Sequence, residues 1–400
     1  IPPKETTMYR PHAAAALVLA FLCIEIASAV AATKMEHRRT RAAPIAALLD
    51  LQGAQASLGR PAMNGFVLGL QQGSEHGPLP FSALIDTKSD PDATESAARD
   101  VASTSVSLAG GFTDNNSVLI AGPFFQRARV PFLSIGATDP ALPQVVGNSI
   151  FLTPFGDNTQ AAAAAQFAQR EFGSSVAILW DSTSQYTRTL PRYFRTRFEE
   201  LGGNVALDAS YDGGCDITAL GQKVKQLSRQ PHFVYLAGLP DCIGNVVSSL
   251  RAAGVAAPII GGDGLDTPKL LEGNSSPTSN VWFTTHAWLS EQTGTPEAKE
   301  FIAAYRDAYG AAPPDAFAAL GYDTARLMLD VLGRAENKKQ IFYALEHTDG
   351  FKGVTGTISF SPQSHVPLKT VWVIAVQNGD KSLASAFVPA SVPPPILENP

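Results

Sequence analysis

The chain has 400 residues, of which 45% are hydrophobic, and its formal net charge is −6 at pH 7. This length and apolar content are sufficient for one or two domains, each with its own core. The negative charge, together with the absence of long runs of Lys or Arg, argues against nucleic acid or an anionic membrane surface as a partner.

Residues 1–32 are predicted to be a signal peptide preceded by a short upstream extension. The sequence Met8-Tyr-Arg-Pro-His is weakly positive, residues 13–26 are mostly apolar, and small residues precede cleavage points at Ala29 and Ala32. The apolar run is shorter than the ~20 residues that a membrane span needs. We therefore expect export to the periplasm and a soluble mature chain. Lipid attachment at Cys23 is the alternative.

After this segment, short apolar strands alternate with amphipathic helices, as expected for parallel sheets with crossover helices. The first series comprises strands 44–49, 81–85 and 130–135 and helices 58–72, 92–101 and 118–128. The second comprises helices 158–172, 186–201, 217–228 and 243–253 and strands 176–180, 204–209, 233–237 and 258–261. Two helices (296–309 and 317–332) and two strands (356–360 and 370–375) follow.

This pattern predicts an α/β fold with two doubly wound parallel-sheet lobes. The two series are separated by a break at Pro154, and the chain returns to strand near Thr370. The first lobe is predicted to comprise residues 44–155 and 286–366, and the second residues 156–285 and 367–380. Residues 381–400 are expected to be a Pro-rich tail.

The sequence lacks the motifs of several enzyme and cofactor classes. It contains no phosphate-binding loop, dinucleotide fingerprint or serine nucleophile elbow, and its His and Cys residues do not have zinc-site spacing. Asp86, Asp90 and Asp92 resemble half of a calcium loop, but no Gly and closing Glu follow, so turns and helix caps are expected there. The chain is therefore predicted to be a binding protein, not an enzyme, with no cofactor and no metal.

Two junctions between a strand and a loop carry polar groups suited to a ligand. The first contains Gly136, Ala137 and Thr138, and the second places Asp263 between two glycines. In open α/β sheets, ligands bind beyond the carboxyl ends of the strands. Asp263 would pair with a ligand cation, and Thr138 with the nearby amides would bind its anion. A helix cap for Asp263 and a simple turn at Thr138 are the alternatives.

Three further residues have two interpretations each. Tyr186 follows a predicted strand, where it could cover an apolar ligand face or pack as an ordinary helix residue. Cys215 and Cys242 remain after signal cleavage. An even pair in an oxidising compartment is a disulfide candidate, and two separate thiols are the alternative.

The chain resembles the type I periplasmic binding proteins of the hydrophobic amino-acid ABC-transporter family, the leucine/isoleucine/valine-binding group. The resemblance extends over residues 44–377 and depends on the order and spacing of several motifs. These motifs are LQGAQASLGRPAMNG at 51–65, DTKSDPDA at 86–93, GAT at 136–138, DNTQ at 157–160, LRAAG at 250–254 and GDG at 262–264. The resemblance implies two lobes, joined by a three-segment hinge, that close on an amino acid.

The resemblance also implies a set of ligand-binding residues. The hydroxyl-bearing loop of the family's first lobe corresponds to residues 114–117. The second loop of that lobe, which binds the ligand carboxylate and ammonium, corresponds to residues 136–138. The family's ligand-binding tyrosine corresponds to Tyr186, and its acidic partner for the ligand ammonium corresponds to Asp263. Leu239 stands where a second Tyr is common. The implied ligand-binding residues are Asn115, Asn116, Gly136, Ala137, Thr138, Tyr186, Leu239 and Asp263.

Departures from the family pattern leave the ligand open. Asn115 stands where a Ser is common, Leu239 replaces a Tyr, and Leu152 stands where an Arg usually precedes the crossover. The predicted function is delivery of an amino acid or a related small amphipathic solute to the permease subunits of an ABC importer. The alternatives are an aromatic acid or amide as the ligand, and a ligand-sensing regulator. The chain is expected to act as a monomer.

Overall fold

The computed structural model describes residues 45–73, 81–272, 278–335 and 337–397. The predicted signal peptide lies outside the described residues. The described chain forms two α/β lobes, each of which is built on its own sheet. Elements are labelled in chain order.

The sheet of the first lobe has five parallel strands in the order β2-β1-β3-β4-β5. They are β1 (Ile45–Leu49), β2 (Phe81–Asp86), β3 (Leu108–Gly111), β4 (Phe132–Ser134) and β5 (Ile150–Leu152). The helices of this lobe are α1 (Ala56–Gly73), α2 (Pro91–Ala102), α3 (Asn115–Ala128), the short α4 (Leu142–Val145), α9 (Pro296–Tyr309), α10 (Ala316–Arg334) and α11 (Lys338–Glu346). A two-stranded hairpin, β11 (Phe351–Gly353) and β12 (Gly356–Ile358), packs beside them.

The sheet of the second lobe has seven strands in the order β14-β13-β10-β9-β8-β6-β7. They are β6 (Ser175–Asp181), β7 (Asn204–Tyr211), β8 (Phe233–Ala237), β9 (Ile259–Gly261), β10 (Val281–Thr285), β13 (Val371–Gln377) and β14 (Asp380–Phe387). Its helices are α5 (Asp157–Glu171), α6 (Gln185–Glu200), α7 (Thr218–Gln226) and α8 (Ile243–Ala252), with short 3-10 helices at Pro240–Cys242, Asp263–Leu265 and Pro268–Leu271. The last two strands pair antiparallel and the others parallel.

Both sheets are covered on their two faces. Every residue of β1, β3, β4 and β5 is buried, as expected when helices cover a parallel sheet on both sides. In the first lobe, Leu49 belongs to the same buried apolar cluster as Phe66 and Leu320, whereas Leu48 belongs to a second cluster with Phe125. Continuous apolar strands of this kind explain why most elements could be predicted from the sequence.

Two of the three aspartates that resemble part of a calcium loop serve a turn and a helix cap, as predicted. Asp90 caps α2, where its Oδ1 accepts a hydrogen bond from the Ala93 N–H at 2.8 Å. Asp86 Oδ1 accepts from the N–H groups of Leu51 and Lys88, both at 2.9 Å. These bonds satisfy backbone donors at a helix start and at a strand end.

The prediction of a tail from residue 381 is wrong for its first seven residues. Residues 381–387 belong to β14, which pairs with β13 as the edge of the second sheet. Between them, Asn378 and Gly379 have φ angles of 54° and 84°, the left-handed conformation that a tight hairpin turn requires. The Asn-Gly pair is a strong hairpin signal, and it marks β14 as a strand that could have been found from the sequence.

The described chain passes between the two sheets three times, after Leu152, after Thr285 and before Val371. These passages agree with the three-segment hinge that the resemblance implies. The exact residues at which each lobe begins and ends stay a prediction. The two sheets show only where the chain crosses from one lobe to the other.

Glycines allow α1 and α10 to pack with their backbones in close contact. A Cβ atom on Gly65 would lie 1.7 Å from the Ala318 carbonyl oxygen, and one on Gly321 would lie 1.9 Å from the Ala62 carbonyl oxygen. Any side chain at these positions would therefore force the two helices apart.

Gly65→Ala is accordingly expected to lower the free energy of unfolding by about 2 kcal/mol, a typical cost of overpacking. Chemical denaturation measures the change. Gly333→Ala is the matched control, because Gly333 lies on α10 and a Cβ atom there would meet no atom of the described residues within 4 Å. That control should be neutral or slightly stabilising. Equal stability of Gly65→Ala and the wild type would contradict the close helix contact.

Candidate functional site

A cleft between the two lobes collects side chains from both sheets. Its volume is about 540 Å³, including the open space at its mouth. It lies beyond the carboxyl ends of parallel strands, where ligands bind in open α/β sheets. The lining residues are Gln55, Leu58, Thr113, Asp114, Asn115, Asn116, Gly136, Thr138, Ser184, Gln185, Tyr186, Leu239, Pro240, Asp263, Gly264 and Phe317.

The structure brings together all but one of the residues that the sequence singled out for ligand binding. Asn115, Asn116, Gly136, Thr138, Tyr186, Leu239 and Asp263 line the cleft. Ala137 is the exception: its side chain is fully buried, and its N–H donates to Ser134 Oγ at 3.0 Å. The Ala137 amide is therefore engaged within the first lobe and is not offered to the cleft.

The first-lobe side of the cleft is the N-terminal end of α3. Asp114 caps this helix, with its Oδ1 accepting from the Ser117 N–H at 3.0 Å. Asn115 Oδ1 accepts from the N–H groups of Thr138 and Asp139, each at 3.1 Å. Because its carbonyl oxygen serves these two amides, Asn115 has only its NH₂ group to offer a ligand. The Asn115 side chain therefore favours a ligand oxygen.

The second-lobe side is centred on Asp263, in the 3-10 helix that follows β9. Its Oδ1 accepts from Gln160 Nε2 and from Tyr186 Oη, both at 2.7 Å, and its Oδ2 is 3.0 Å from His286 Nε2. Tyr186 Oη also accepts from the Gly264 N–H at 3.0 Å. The N-cap of this 3-10 helix is Gly262, so Asp263 is its first residue and not its capping residue. Tyr186 and Asp263 thus form one connected polar group.

This environment makes Asp263 an ionised carboxylate. Burial raises its pKa, but the hydrogen bond from His286, the charge that His286 carries in acid, and the hydrogen bonds from Gln160 and Tyr186 outweigh burial and leave the pKa below its usual value. Burial lowers the pKa of His286 despite the neighbouring Asp263. Among the described residues, none is a hydrogen-bond partner of His286 Nδ1, which fits a neutral ring that carries its proton on Nε2. The cleft wall therefore carries a negative charge at Asp263.

A second carboxyl group lies behind Asp263. Gln160 Nε2 donates to Asp157 Oδ1 at 2.9 Å as well as to Asp263. Burial and the charge of Asp263 raise the pKa of Asp157 well above its usual value, so this acid stays neutral beside an ionised one. Both Asp157 and Gln160 belong to the DNTQ motif. The sequence analysis singled out this motif as a family marker, but it did not predict that Asp157 and Gln160 lie beside Asp263.

Several other lining residues had no signal in the sequence: Ser184 and Gln185 lie at the start of α6, and Phe317 lies at the start of α10. Gln55, just before α1, belongs to the motif at 51–65, but its position at the cleft was not predicted. Each group comes from a separate segment, and only the tertiary structure brings them to one cavity. Leu58, Leu239, Pro240 and Phe317 supply apolar surface among the polar groups.

A buried lysine connects two of the three passages between the sheets. Lys369 Nζ donates to the Thr153 carbonyl oxygen at 2.8 Å and to Thr355 Oγ1 at 2.7 Å. Only 2% of this residue is exposed. Burial lowers the pKa of Lys369 to about 7, and the carboxyl group of Asp323 only partly offsets this.

The lowered pKa of Lys369 predicts that stability rises with pH. An unfolded lysine has a pKa of about 10.4, so between pH 7 and 10 the unfolded chain binds more protons than the folded one. The contribution of Lys369 to the free energy of unfolding should then rise by about 1.4 kcal/mol for each pH unit, and should be flat below the folded pKa.

Chemical denaturation at pH 7, 8 and 9 measures this slope. Lys369→Met should reduce it, whereas Lys352→Met, at an exposed position, should leave it unchanged. Identical slopes for the wild type and both variants would show that Lys369 is charged in the folded state throughout this range.

Among residues 45–73, 81–272, 278–335 and 337–397, no helix combines the length and apolar character needed to cross a membrane. Within the same ranges, no cluster of three or more His, Cys, Asp or Glu side chains could hold a metal ion.

The chain is similar in sequence to proteins that are already known. The sequence profile of the family described as periplasmic binding protein matches residues 43–381. A curated relative, Leu/Ile/Val-binding protein homolog 1 of Brucella suis biovar 1, is 24% identical over 279 residues, which cover 69% of this chain and 73% of the relative.

Two solved structures are also similar. The leucine binding protein LivK of Thermotoga maritima superimposes with a TM-score of 0.78 and 27% identity, over 86% of this chain and 99% of that one. LivJ of Streptococcus pneumoniae, in complex with isoleucine, gives a TM-score of 0.77 and 25% identity, over 86% and 98%. Since the family profile spans both lobes, including the cleft between them, the chain belongs to the periplasmic binding protein family.

Proposed function

We propose that this chain is the periplasmic solute-binding protein of an ABC importer and that it binds an amino acid or a related small amphipathic solute without converting it. The observation that carries the proposal is the pairing of two unlike walls across one cleft. The Asn115 amide donors line one wall, and the ionised Asp263 lies on the other. A zwitterion has the two complementary charges.

The chemistry of each wall assigns one end of the ligand. Asp263 has three hydrogen-bond donors around its two oxygens, and a carboxylate has about four lone-pair sites. It therefore retains capacity for an ammonium N–H. The ligand carboxylate would face Asn115 Nδ2 at the N-terminal end of α3, where the helix dipole favours an anion.

The apolar part of the ligand would contact Leu58, Leu239 and Phe317, which contribute apolar surface to the cleft. Tyr186 would lie next to the ammonium end, because its hydroxyl is bonded to Asp263. The names of the similar leucine- and isoleucine-binding proteins support an amino-acid ligand. Family membership supports ABC permease subunits as the partner and a periplasmic location. Both walls of the cleft come from one chain, which supports a monomeric state.

An aromatic acid or amide is the second candidate. Leu239, Pro240 and Phe317 add apolar surface to the cleft, which favours an aromatic ring. The NH₂ group of Asn115 can donate to the acid or amide oxygen of such a ligand, because Asn115 Oδ1 is already engaged. Such a ligand would place no cation beside Asp263. The Asp263 carboxylate would then be stabilised only by its hydrogen bonds from Gln160, Tyr186 and His286.

Calorimetry with a ligand panel distinguishes the two candidates. The panel comprises aliphatic and polar amino acids, their N-acetyl and amide derivatives, benzoate and 4-hydroxybenzoate. We expect α-amino acids to bind and both derivatives to bind much more weakly, because each removes one of the two charges. Tighter binding of the aromatic acids than of any amino acid would reject the zwitterion and select the second candidate.

A further inference from the structure

We propose that Gln185 and Asp139 form a latch between the lobes and position the cleft walls around whatever solute is bound. Gln185 Nε2, on the second lobe, donates to Asp139 Oδ2, on the first lobe, at 3.0 Å. Neither residue was among those the sequence singled out. The affinity part of the test below rests on the proposed function, whereas its scattering part does not.

The acceptor side of the latch is held rigidly. Asp139 is 4% exposed. Its Oδ1 accepts from the Ala141 N–H at 2.9 Å, and its own N–H donates to Asn115 Oδ1 at 3.1 Å. With one carboxylate oxygen and the backbone fixed in the first lobe, Oδ2 has a defined direction toward the second lobe.

The donor side is equally well placed. Gln185 is the first residue of α6 and lines the cleft. Turning its amide over would set Oε1 against the Asp139 carboxylate, so the orientation with Nε2 toward Asp139 is the attractive one. A hydrogen bond from an amide to a carboxylate is stronger than one between neutral groups.

The two latch residues are direct sequence neighbours of two cleft residues. Asp139 follows Thr138, and Gln185 precedes Tyr186. Forming the latch therefore brings the first-lobe loop and the Tyr186–Asp263 group to their observed separation. A conformation competent for binding that is more populated before the ligand arrives gives a higher apparent affinity for any ligand. The latch should thus act on affinity without selecting among ligands.

A reversal of the hydrogen bond tests the latch specifically. Gln185→Glu opposes two carboxylates and should break it. Asp139→Asn should be tolerated, because the Gln185 amide can turn over and accept from the new NH₂ group while the Oδ1 of the new side chain still accepts from Ala141. In the double variant Gln185→Glu/Asp139→Asn, the introduced glutamate would accept from that NH₂ group and restore the latch. Gln222→Glu, at an exposed position on α7, is the control for added charge.

Small-angle X-ray scattering of the ligand-free chain is the first measurement. We expect a larger radius of gyration for Gln185→Glu than for the wild type, and compact curves for the double variant and Gln222→Glu. If the curve of Gln185→Glu superimposes on that of the wild type, or if the double variant stays expanded, the latch is overturned. This holds even if no amino acid binds, which would reject the proposed function alone.

Affinity is the second measurement, made with every solute that binds the wild type. Gln185→Glu should weaken all of them by a similar factor of about tenfold, as for loss of one hydrogen bond to a charged group, with faster dissociation in stopped flow. The double variant should recover most of this loss. A loss confined to some solutes would show that Gln185 acts by contacting the ligand, and would overturn the latch.

Discussion

Asp263→Ala is expected to weaken the binding of an amine-bearing ligand by about thirtyfold or more, since removing one partner of a buried charged pair costs ~2–5 kcal/mol. The reason is that the ligand ammonium would enter a water-poor cleft without its counter-charge. Calorimetry on the purified variant measures the change in Kd, with the solute identified by the ligand panel.

Two further variants make this result interpretable. Asp263→Ala also leaves Gln160, Tyr186 and His286 without a shared acceptor, so its fold is checked by thermal denaturation. Asp263→Asn removes the charge and keeps one acceptor oxygen, while its NH₂ group replaces the other oxygen, and it should weaken binding in the same direction. Thr138→Ala, on the opposite wall, should cost less because no charge is removed. If Asp263→Ala binds as tightly as the wild type, the amino-acid ligand is wrong and the aromatic acid or amide takes its place.

Removing the disulfide between Cys215 and Cys242 is expected to lower the free energy of unfolding by about 3 kcal/mol, the chain-entropy cost for a closed loop of this length. The predicted bond is present, with a Cα–Cα distance of 5.0 Å and a sequence separation of 27 residues. It joins the loop after β7 to the 3-10 helix Pro240–Cys242. Chemical denaturation of Cys215→Ser/Cys242→Ser measures the loss.

The same variant should also change the cleft. Leu239 and Pro240 line it shortly before Cys242, so freeing this helix from the β7 loop loosens an apolar part of the wall. Weaker binding of ligands with larger apolar side chains is therefore expected alongside the stability loss. Equal denaturation midpoints for oxidised wild-type protein and the double serine variant would contradict a stabilising role of the bond.

Much of the fold follows from local pattern in the sequence. Strands such as β8 (Phe233–Ala237) are continuous apolar runs, and helices such as α9 (Pro296–Tyr309) have a Thr295 cap before and Gly310 after. These signals are local because a buried strand needs apolar side chains on both faces and a helix end needs its backbone groups satisfied. Some strands of only three or four residues, such as β3 and β5, were missed because so short a segment gives little pattern.

The residues facing the cleft were predicted where they follow a strand end in a motif, as Thr138 and Asp263 do. Gln185 of the cleft, and Gln160 and His286 that support Asp263, were not predicted, because their roles depend on partners 46, 103 and 23 residues away in the chain. The sequence by itself determined the alternation of strands and helices and the two polar loops, since each depends on neighbouring residues, whereas it left the pairing of Cys215 with Cys242, 27 residues apart, open. Only the tertiary structure decided the charge of Asp263, the neutrality of Asp157 and the hydrogen bond between Gln185 and Asp139 that joins the lobes. Burial and long-range hydrogen bonds set all three.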